Sequence, residues 1–438
     1  MSEKLSALDS RVRWVRLIPV VFLVYTIAFF DRINIGLALP SISRDLHLSP
    51  TQAGLAGGIF FWGYLITFLA AGWLAPRFGG RQVILGALIA WGAFAMGTGL
   101  VQNYHELLVM RFLLGAAEGP VWTSVSMLLA QWFIAPERAR AFGLWNLCIP
   151  VGALIAGPVS GLILSYASWH LMFVLEGLPA WIWAFVWART VPRRLQDAPW
   201  LDAAERTALS RALEAEQAEL RSHHRGTWRD MLREPSVWLL LGAFSFVNMV
   251  SYGFGLWFPS AIKAASKLDI GSIGLLSALP YIASTIGVIA ITQSSDRNRE
   301  RRYHAGLPMI AIGTLLWVGA YFGSASIALE IGVFTFMGLF LYMYLPLIFT
   351  FLTEILPRDM AIPAIAFVGG VGNLFGGFIG PTLVGWVREE TGSFTTAFTM
   401  LAVFGVVGGL LTLLVRPRSH SLEEMPRVYA EARVDKSR

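Results

Sequence analysis

The sequence predicts an all-α membrane protein with twelve transmembrane helices arranged as two pseudo-symmetric six-helix halves. Three observations predict this class: sparse charge, a dozen long apolar runs, and matching features at matching places in the two halves of the chain. Of the 438 residues, 55% are hydrophobic and only 14% charged, whereas a soluble domain carries roughly 25% charge. Mean hydropathy is +0.60. Charge this sparse cannot cover a water-facing surface, so lipid is the expected solvent for most of the chain. The 17 tryptophans and 29 phenylalanines fit helix contacts and the membrane interface.

A membrane span needs roughly 20 apolar residues. Such runs fall at 17–40, 51–75, 82–101, 105–132, 139–165 and 168–189, then at 236–265, 271–294, 304–323, 329–353, 360–388 and 393–416. The charged opening, MSEKLSALDSRVRW, shows no small-residue cleavage site before a short apolar core, so the first run is expected to be an uncleaved span. Connections are short except for 190–235, which reads LDAAERTALSRALEAEQAELRSHHR in its middle and is polar with helical propensity. The expected organisation is therefore an N-terminal six-helix bundle (1–189) and a linker with an amphipathic helix (190–235). A C-terminal six-helix bundle (236–418) and a tail (419–438) follow.

Orientation follows from the distribution of Lys and Arg between loops. One side carries Arg11, Arg13, Arg16, Arg77, Arg81, Arg138 and Arg140, the central linker, Arg297, Arg299, Arg301, Arg302, Arg358, Arg416 and Arg418. The other side has little beyond Arg44, Lys263, Lys267 and Arg388. Both termini and the linker are thus expected in the cytoplasm. The absence of any Asn-x-Ser/Thr sequon favours a bacterial inner membrane.

The internal repeat is visible as three paired features. Gly157-Pro158-x-x-Gly161 in the fifth run answers Gly380-Pro381-x-x-x-Gly385 in the eleventh. Each lies beyond a charged turn opening on proline, Pro136-Glu137-Arg138 and Pro357-Arg358-Asp359. The basic loop Arg77-Phe-Gly-Gly-Arg81 after the second run answers Asp296 to Arg302 after the eighth.

Several function classes fall away. A net charge of +6 is spread over one face of the loops, with no basic patch interleaved with aromatics, so no nucleic-acid partner is expected. No Walker-type glycine loop is present, which removes ATP-driven transport; the glycines from Gly369 to Gly380 read as a helix-packing stripe. No HExxH, G-x-S-x-G or paired Cys/His set occurs, so no enzyme activity, metal or cofactor is expected. The single cysteine, Cys148, sits in an apolar run as a small packing residue.

Certain stretches carry a family resemblance. Gly72-Trp-Leu-Ala-Pro76-Arg77-Phe-Gly79-Gly80-Arg81 resembles the loop signature of the major facilitator superfamily. Phe30-Asp31-Arg32-Ile-Asn34-Ile-Gly36, Arg111-Phe-Leu-Leu-Gly115-Ala-Ala-Glu118-Gly119 and Gly372-Asn373-Leu-Phe-Gly376-Gly377 resemble its anion:cation symporter branch, which includes sugar-acid permeases and sialin-like transporters. The linker's Pro199-Trp200-Leu201 with Glu205 is similar as well. The resemblance covers essentially the whole chain and implies the major facilitator fold, alternating access, and a small organic anion moved with protons. Proton is then the only coupling ion, membrane lipid the surroundings, and a monomer the expected unit. The loop signature departs at Pro76, where the superfamily usually has an aspartate of a cytoplasmic gate; the second copy keeps Asp296. Arg77, Arg81, Asp296 and Arg297 are the gate candidates.

Ionisable groups inside a membrane cost roughly 2.5–3.5 kcal/mol each on the insertion scale and need a reason. Asp31 and Arg32 lie near mid-depth of the first run, about 100° apart on the helix, so they must find separate partners. Arg32 suits a substrate carboxylate, as a planar guanidinium fork does, and Asp31 suits a proton carrier; the resemblance to sugar-acid permeases implies the same. Arg111 and Glu118 stand two turns apart on one face of the fourth run. Burial favours a neutral Glu118 and a nearby arginine favours its anion. An anion arriving at the arginine would remove the charge that holds Glu118 ionised, and Glu118 would then take up a proton. Arg111 reads as a gate or structural partner. Tyr64, Asn146, Tyr252 and Asn373 are candidate hydrogen-bonding groups for substrate, with Asn248 beside them. Where sugar-acid permeases carry a glutamine in the fifth run, this chain has Ile149, so a less hydroxylated or aromatic carboxylate is expected. The rival readings are a drug or metabolite antiporter, opposed by the buried Arg32 for cationic cargo, and a membrane sensor that does not transport.

Overall fold

The computed structural model describes residues 11–222, 228–322 and 326–415. The tail 419–438 lies outside the described residues, as do Arg416, Arg418 and the side chain of Arg358. Among the described residues eleven helices are long and apolar enough to span a membrane: α1 (Arg11–Asp45), α2 (Pro50–Phe78), α3 (Gly80–Thr98), α4 (Tyr104–Trp132), α5 (Arg140–Tyr166) and α6 (Trp169–Thr190) in the first half. The second half has α7 (Pro235–Ala265), α8 (Ile270–Asn298) and α9 (Arg302–Phe322), then α11 (Met360–Thr391) and α12 (Phe394–Leu414).

Between α9 and α11 lies α10, expected as one continuous helix and found as two shorter apolar helices, Ile327–Gly338 and Tyr344–Ile355. The turn joining them keeps its backbone bonded in i to i−3 steps, from Leu339 to Phe336, Phe340 to Met337 and Leu341 to Gly338. These bonds satisfy backbone groups of the turn that would otherwise be costly in the apolar layer. A second irregularity is the π-turn Phe375–Ile379 inside α11, which begins two residues after Asn373.

Helix starts on the face away from the linker are marked in the sequence. Ser49, Asn103, Ser168, Asp269 and Ser393 each accept a hydrogen bond from the backbone of the third residue onward, opening α2, α4, α6, α8 and α12. Short polar side chains satisfy the first free N–H groups there.

The two halves meet along α5 against α8 and α2 against α11, with α1 touching α7. Contact is tightest at the far face. At the α5–α8 seam a Cβ placed on Gly157 would stand 2.5 Å from the Gly274 carbonyl oxygen, so only glycine lets these backbones approach. At the α2–α11 seam the Glu389 carboxylate accepts from the Ser49 hydroxyl (2.7 Å) and the Thr51 amide (2.9 Å). Towards the linker face the halves diverge around a cavity.

The linker folds onto the first half through its helix Ala203–Ser222. Arg13, fully buried, donates to Glu205 of that helix (2.7 Å) and to Glu137 before α5 (2.9 Å). Trp200 stacks on Trp132 with centroids 5.4 Å apart, and Arg138 pairs with Glu216 at 2.8 Å. The Pro199-Trp200-Leu201 and Glu205 stretch is thus the docking element of the linker.

Candidate functional site

The central cavity encloses about 210 Å³ between the halves and runs from mid-depth towards the linker face, reaching Ser126 and Ile362. Its walls are mostly aromatic, with Tyr25, Phe29, Tyr64, Trp122, Tyr252 and Phe349 among them. Ile149 of α5 lines it.

Arg32 is the cationic group of the wall. Its Nε donates to Glu118 Oε2 at 2.9 Å and Nη1 to the Tyr25 hydroxyl at 3.3 Å, while Nη2 has no partner among the described residues. Four rings pack around the guanidinium, with centroids 4.8 Å away for Tyr64, 5.3 Å for Tyr25 and Phe60, and 5.8 Å for Phe29. Aromatic faces stabilise a cation without neutralising it. Glu118 is fully buried and its Oε1 is also unpartnered. The helix that carries it, α4, packs close against α2: a Cβ on Gly115 would overlap the Phe60 carbonyl. The pair therefore retains one free donor and one free acceptor, an arrangement able to exchange partners when a carboxylate arrives.

Opposite this pair, the second half presents a polar chain. Tyr252 donates to Asn373 Oδ1 (3.1 Å), Asn248 Nδ2 to the same oxygen (3.4 Å), and Tyr344 to Asn248 Oδ1 (2.6 Å). Arg32, Tyr64, Tyr252 and Asn373 are thus brought to one cavity. Asn146 is not: its amide donates to the Phe142 carbonyl of its own helix at 2.8 Å, and it is not among the cavity-lining residues. Tyr344, absent from the sequence candidates, joins the wall through the break in α10, which hydropathy does not report.

Asp31 turns away from the cavity. Its Oδ2 accepts from Trp91 Nε1 of α3 at 2.7 Å, and Asn34 Nδ2 lies 3.5 Å from Oδ1. Arg111 reaches the Asp31 carbonyl oxygen at 3.4 Å and packs over Phe60, so it braces α1 against α4. One buried carboxylate was overlooked among the sequence candidates: Glu176 of α6, 3% exposed, accepts from Asn34 (2.9 Å) and Ser160 (2.6 Å). Its signal was available, since an acidic residue within an apolar span needs an explanation.

The gate candidates lie on the linker face and differ between halves. Asp296 pairs with Arg301 (2.6 Å), and Arg301 with Glu354 of α10 (3.0 Å). In the first half, where Pro76 replaces the aspartate, Arg77 has no carboxylate within ion-pair distance among the described residues and packs on Trp73 and Phe78. Arg81 donates instead to the Ala188 and Val191 carbonyls, holding the end of α6 at 2.6 and 2.5 Å. Arg297 is exposed and stands outside the Asp296–Arg301–Glu354 chain.

The model of the Major Facilitator Superfamily matches residues 21–360 and 268–436. The chain is 31% identical to the "Putative metabolite transport protein NicT" of Pseudomonas putida, over 90% of this chain and 91% of that protein. It is 30% identical to a "Putative tartrate transporter" of Agrobacterium vitis (91% and 89% covered) and 29% identical to a "Quinolone resistance transporter" of Acinetobacter baumannii (91% and 93%). Among solved structures, the xylose transporter XylE of E. coli in its inward open conformation superposes with a TM-score of 0.75 at 14% identity, covering 94% of this chain and 99% of that one. Fold, paired halves and sequence agree: the chain is a multi-pass membrane protein and not an enzyme, and it belongs to the Major Facilitator Superfamily.

Proposed function

We propose that this transporter imports a small organic anion, an aromatic or sparsely hydroxylated carboxylate, together with protons across a bacterial inner membrane. The observation that carries the proposal is Arg32, a guanidinium on the cavity wall with a free Nη2, ringed by aromatics and shared with a buried Glu118. A substrate carboxylate would bind Arg32 at Nη2 while its apolar body stacks among Tyr25, Tyr64 and Trp122. The cavity of about 210 Å³ is walled mainly by aromatic rings, which suits a ring-bearing acid. Tartrate and quinolones, named for two relatives, are both carboxylates, which is consistent with an arginine anchor.

Coupling follows from competition. When the substrate takes the positive charge of Arg32, Glu118 loses the cation that favours its ionised form and takes a proton instead. The loaded site can then change its access by rocking the halves about the α5–α8 and α2–α11 seams. A membrane potential supplies roughly 2.3 kcal/mol per charge per 100 mV. Linker and both termini are assigned to the cytoplasm, as the arginine-rich linker-face loops require; the cavity then opens inward. The whole site comes from one chain, so a monomer suffices.

Proteoliposomes with an imposed pH gradient test the reading against a panel of carboxylic acids, neutral analogues and cationic drugs. Acid-driven uphill uptake is expected, and Glu118→Gln is expected to keep counterflow exchange while losing accumulation. Accumulation that survives in Glu118→Gln would move the proton to another residue, and transport of cations alone would favour the exporter reading.

A further inference from the structure

The buried interior of the first half holds five ionisable groups at mid-depth: Asp31, Arg32, Arg111, Glu118 and Glu176. Two arginines against three carboxyls leave one negative charge without compensation if all are ionised. The arginines are both committed elsewhere, Arg32 to Glu118 and Arg111 to the Asp31 carbonyl and the Phe60 ring. Glu176 takes part in none of the ion pairs among the described residues. Its partners are neutral donors from two other helices, the Asn34 amide of α1 and the Ser160 hydroxyl of α5. From α4, Arg111 reaches the Asp31 carbonyl oxygen, and from α3 Trp91 bonds to the Asp31 carboxylate. A carboxylate lacking a cation in an apolar layer is costly, and taking up a proton is the usual resolution.

Placement gives that proton a route. Glu176 stands behind the α5–α8 seam: Ser160 neighbours Gly161, where an added Cβ would lie 3.1 Å from Gly274 Cα and the Ile270 carbonyl oxygen of α8. Asn34 lines a narrow void in the same seam, bounded by Gly157, Ser277 and Tyr281, and its Oδ1 is buried without a partner. Here the seam is shut. Rocking that opened the far face would part Gly157 and Gly161 from α8 and connect this void to water. Asn34 Nδ2 lies within 3.5 Å of both Asp31 Oδ1 and Glu176 Oε2, so the state of one carboxyl is felt by the other.

We propose that Glu176 is a binding site for a coupling proton, built with Asn34 and Ser160, loaded through the α5–α8 seam from the face opposite the linker. The proton adds to a Glu176 carboxylate oxygen when the far face is open and leaves, once that seam has shut and the linker face is open, to water or by way of Asp31. This deepens the proposed symport and rests on it.

The test is the number of protons moved per anion, from reversal potentials in proteoliposomes of wild type and Glu176→Gln. The expected result is one proton fewer per anion in Glu176→Gln, with counterflow exchange retained. An unchanged ratio and pH profile would overturn the inference while leaving the symport reading standing; a wild-type ratio of zero would remove the symport reading itself. Should Glu176→Gln fail to fold, infrared difference spectra of wild type and Ser160→Ala decide. A protonated-carboxyl band that shifts when the Ser160 donor is removed supports the site, and a band indifferent to it, or no band, refutes it.

Discussion

Replacing Arg32 by alanine tests the electrostatic core of the site, because two consequences with different signs of rescue follow from one removal. Arg32 and Glu118 form a pair with side chains 4% and 0% exposed, Nε to Oε2 2.9 Å. Breaking such a pair from one side typically costs about 3–5 kcal/mol, because the remaining carboxyl is left either charged without a partner or neutral at the cost of taking up a proton. Arg32→Ala should therefore lower the melting temperature markedly, whereas Arg32→Ala with Glu118→Gln should recover most of the loss, since no charge is left behind. Substrate affinity behaves differently. Truncating one partner of a buried ionic contact costs about 2–5 kcal/mol in binding, which at ~1.4 kcal/mol per tenfold is roughly 30- to 4,000-fold in Kd. The double variant should not recover that loss, and Arg32→Lys should recover it only in part, because ammonium offers a point charge in place of a fork. Ligand-induced thermal shifts against the acid panel read both quantities in one plate. Wild-type affinity in Arg32→Ala would refute the anchor role. Stability losses that simply add in the double variant would refute the pairing with Glu118.

Gly157→Val should lose transport and hold the far face apart, because its side chain would drive into the Gly274 backbone; interspin distances across the far ends of α5 and α8 should lengthen. Glu205→Gln should weaken the linker's hold on the first half by removing one of the carboxylates bonded to buried Arg13, and trypsin should then cut within the linker faster than in wild type. The Asp269 carboxyl, outside the spans, is held below the ordinary aspartate range by the Ser272 hydroxyl and amide. A depressed carboxyl stabilises above its unfolded value and loses that contribution as pH falls through its folded value. Hydrogen exchange in the first turn of α8 should accordingly rise only once pH drops below about 3.9, and Asp269→Ala should show the elevated exchange already at neutral pH.

Much of this architecture is written in local pattern. Apolar runs and arginine-rich loops mark the spans and their alternation because every backbone polar group in lipid must be satisfied within its own helix. Mid-span charges announce themselves by cost, which is why Asp31, Arg32, Arg111 and Glu118 stood out; Glu176 answers to the same rule and needed only its application. What local pattern does not contain is the direction of a side chain relative to other helices. Asn146 bonds back to its own helix and Asp31 faces Trp91, while its neighbour Arg32 faces the cavity, because rotation about a helix axis is set by close packing such as that of Gly115 on α2. The break in α10 likewise depends on contact, since its residues are as apolar as an unbroken span. That this chain crosses the membrane in two related halves, with charge buried near its centre, is already legible in the residue order, because both follow from transfer free energies of single residues and their spacing. Which charges meet, which face the cavity and which carboxylate lacks a cation emerge from the packing of the helices, because pairing depends on distances between segments far apart in the chain.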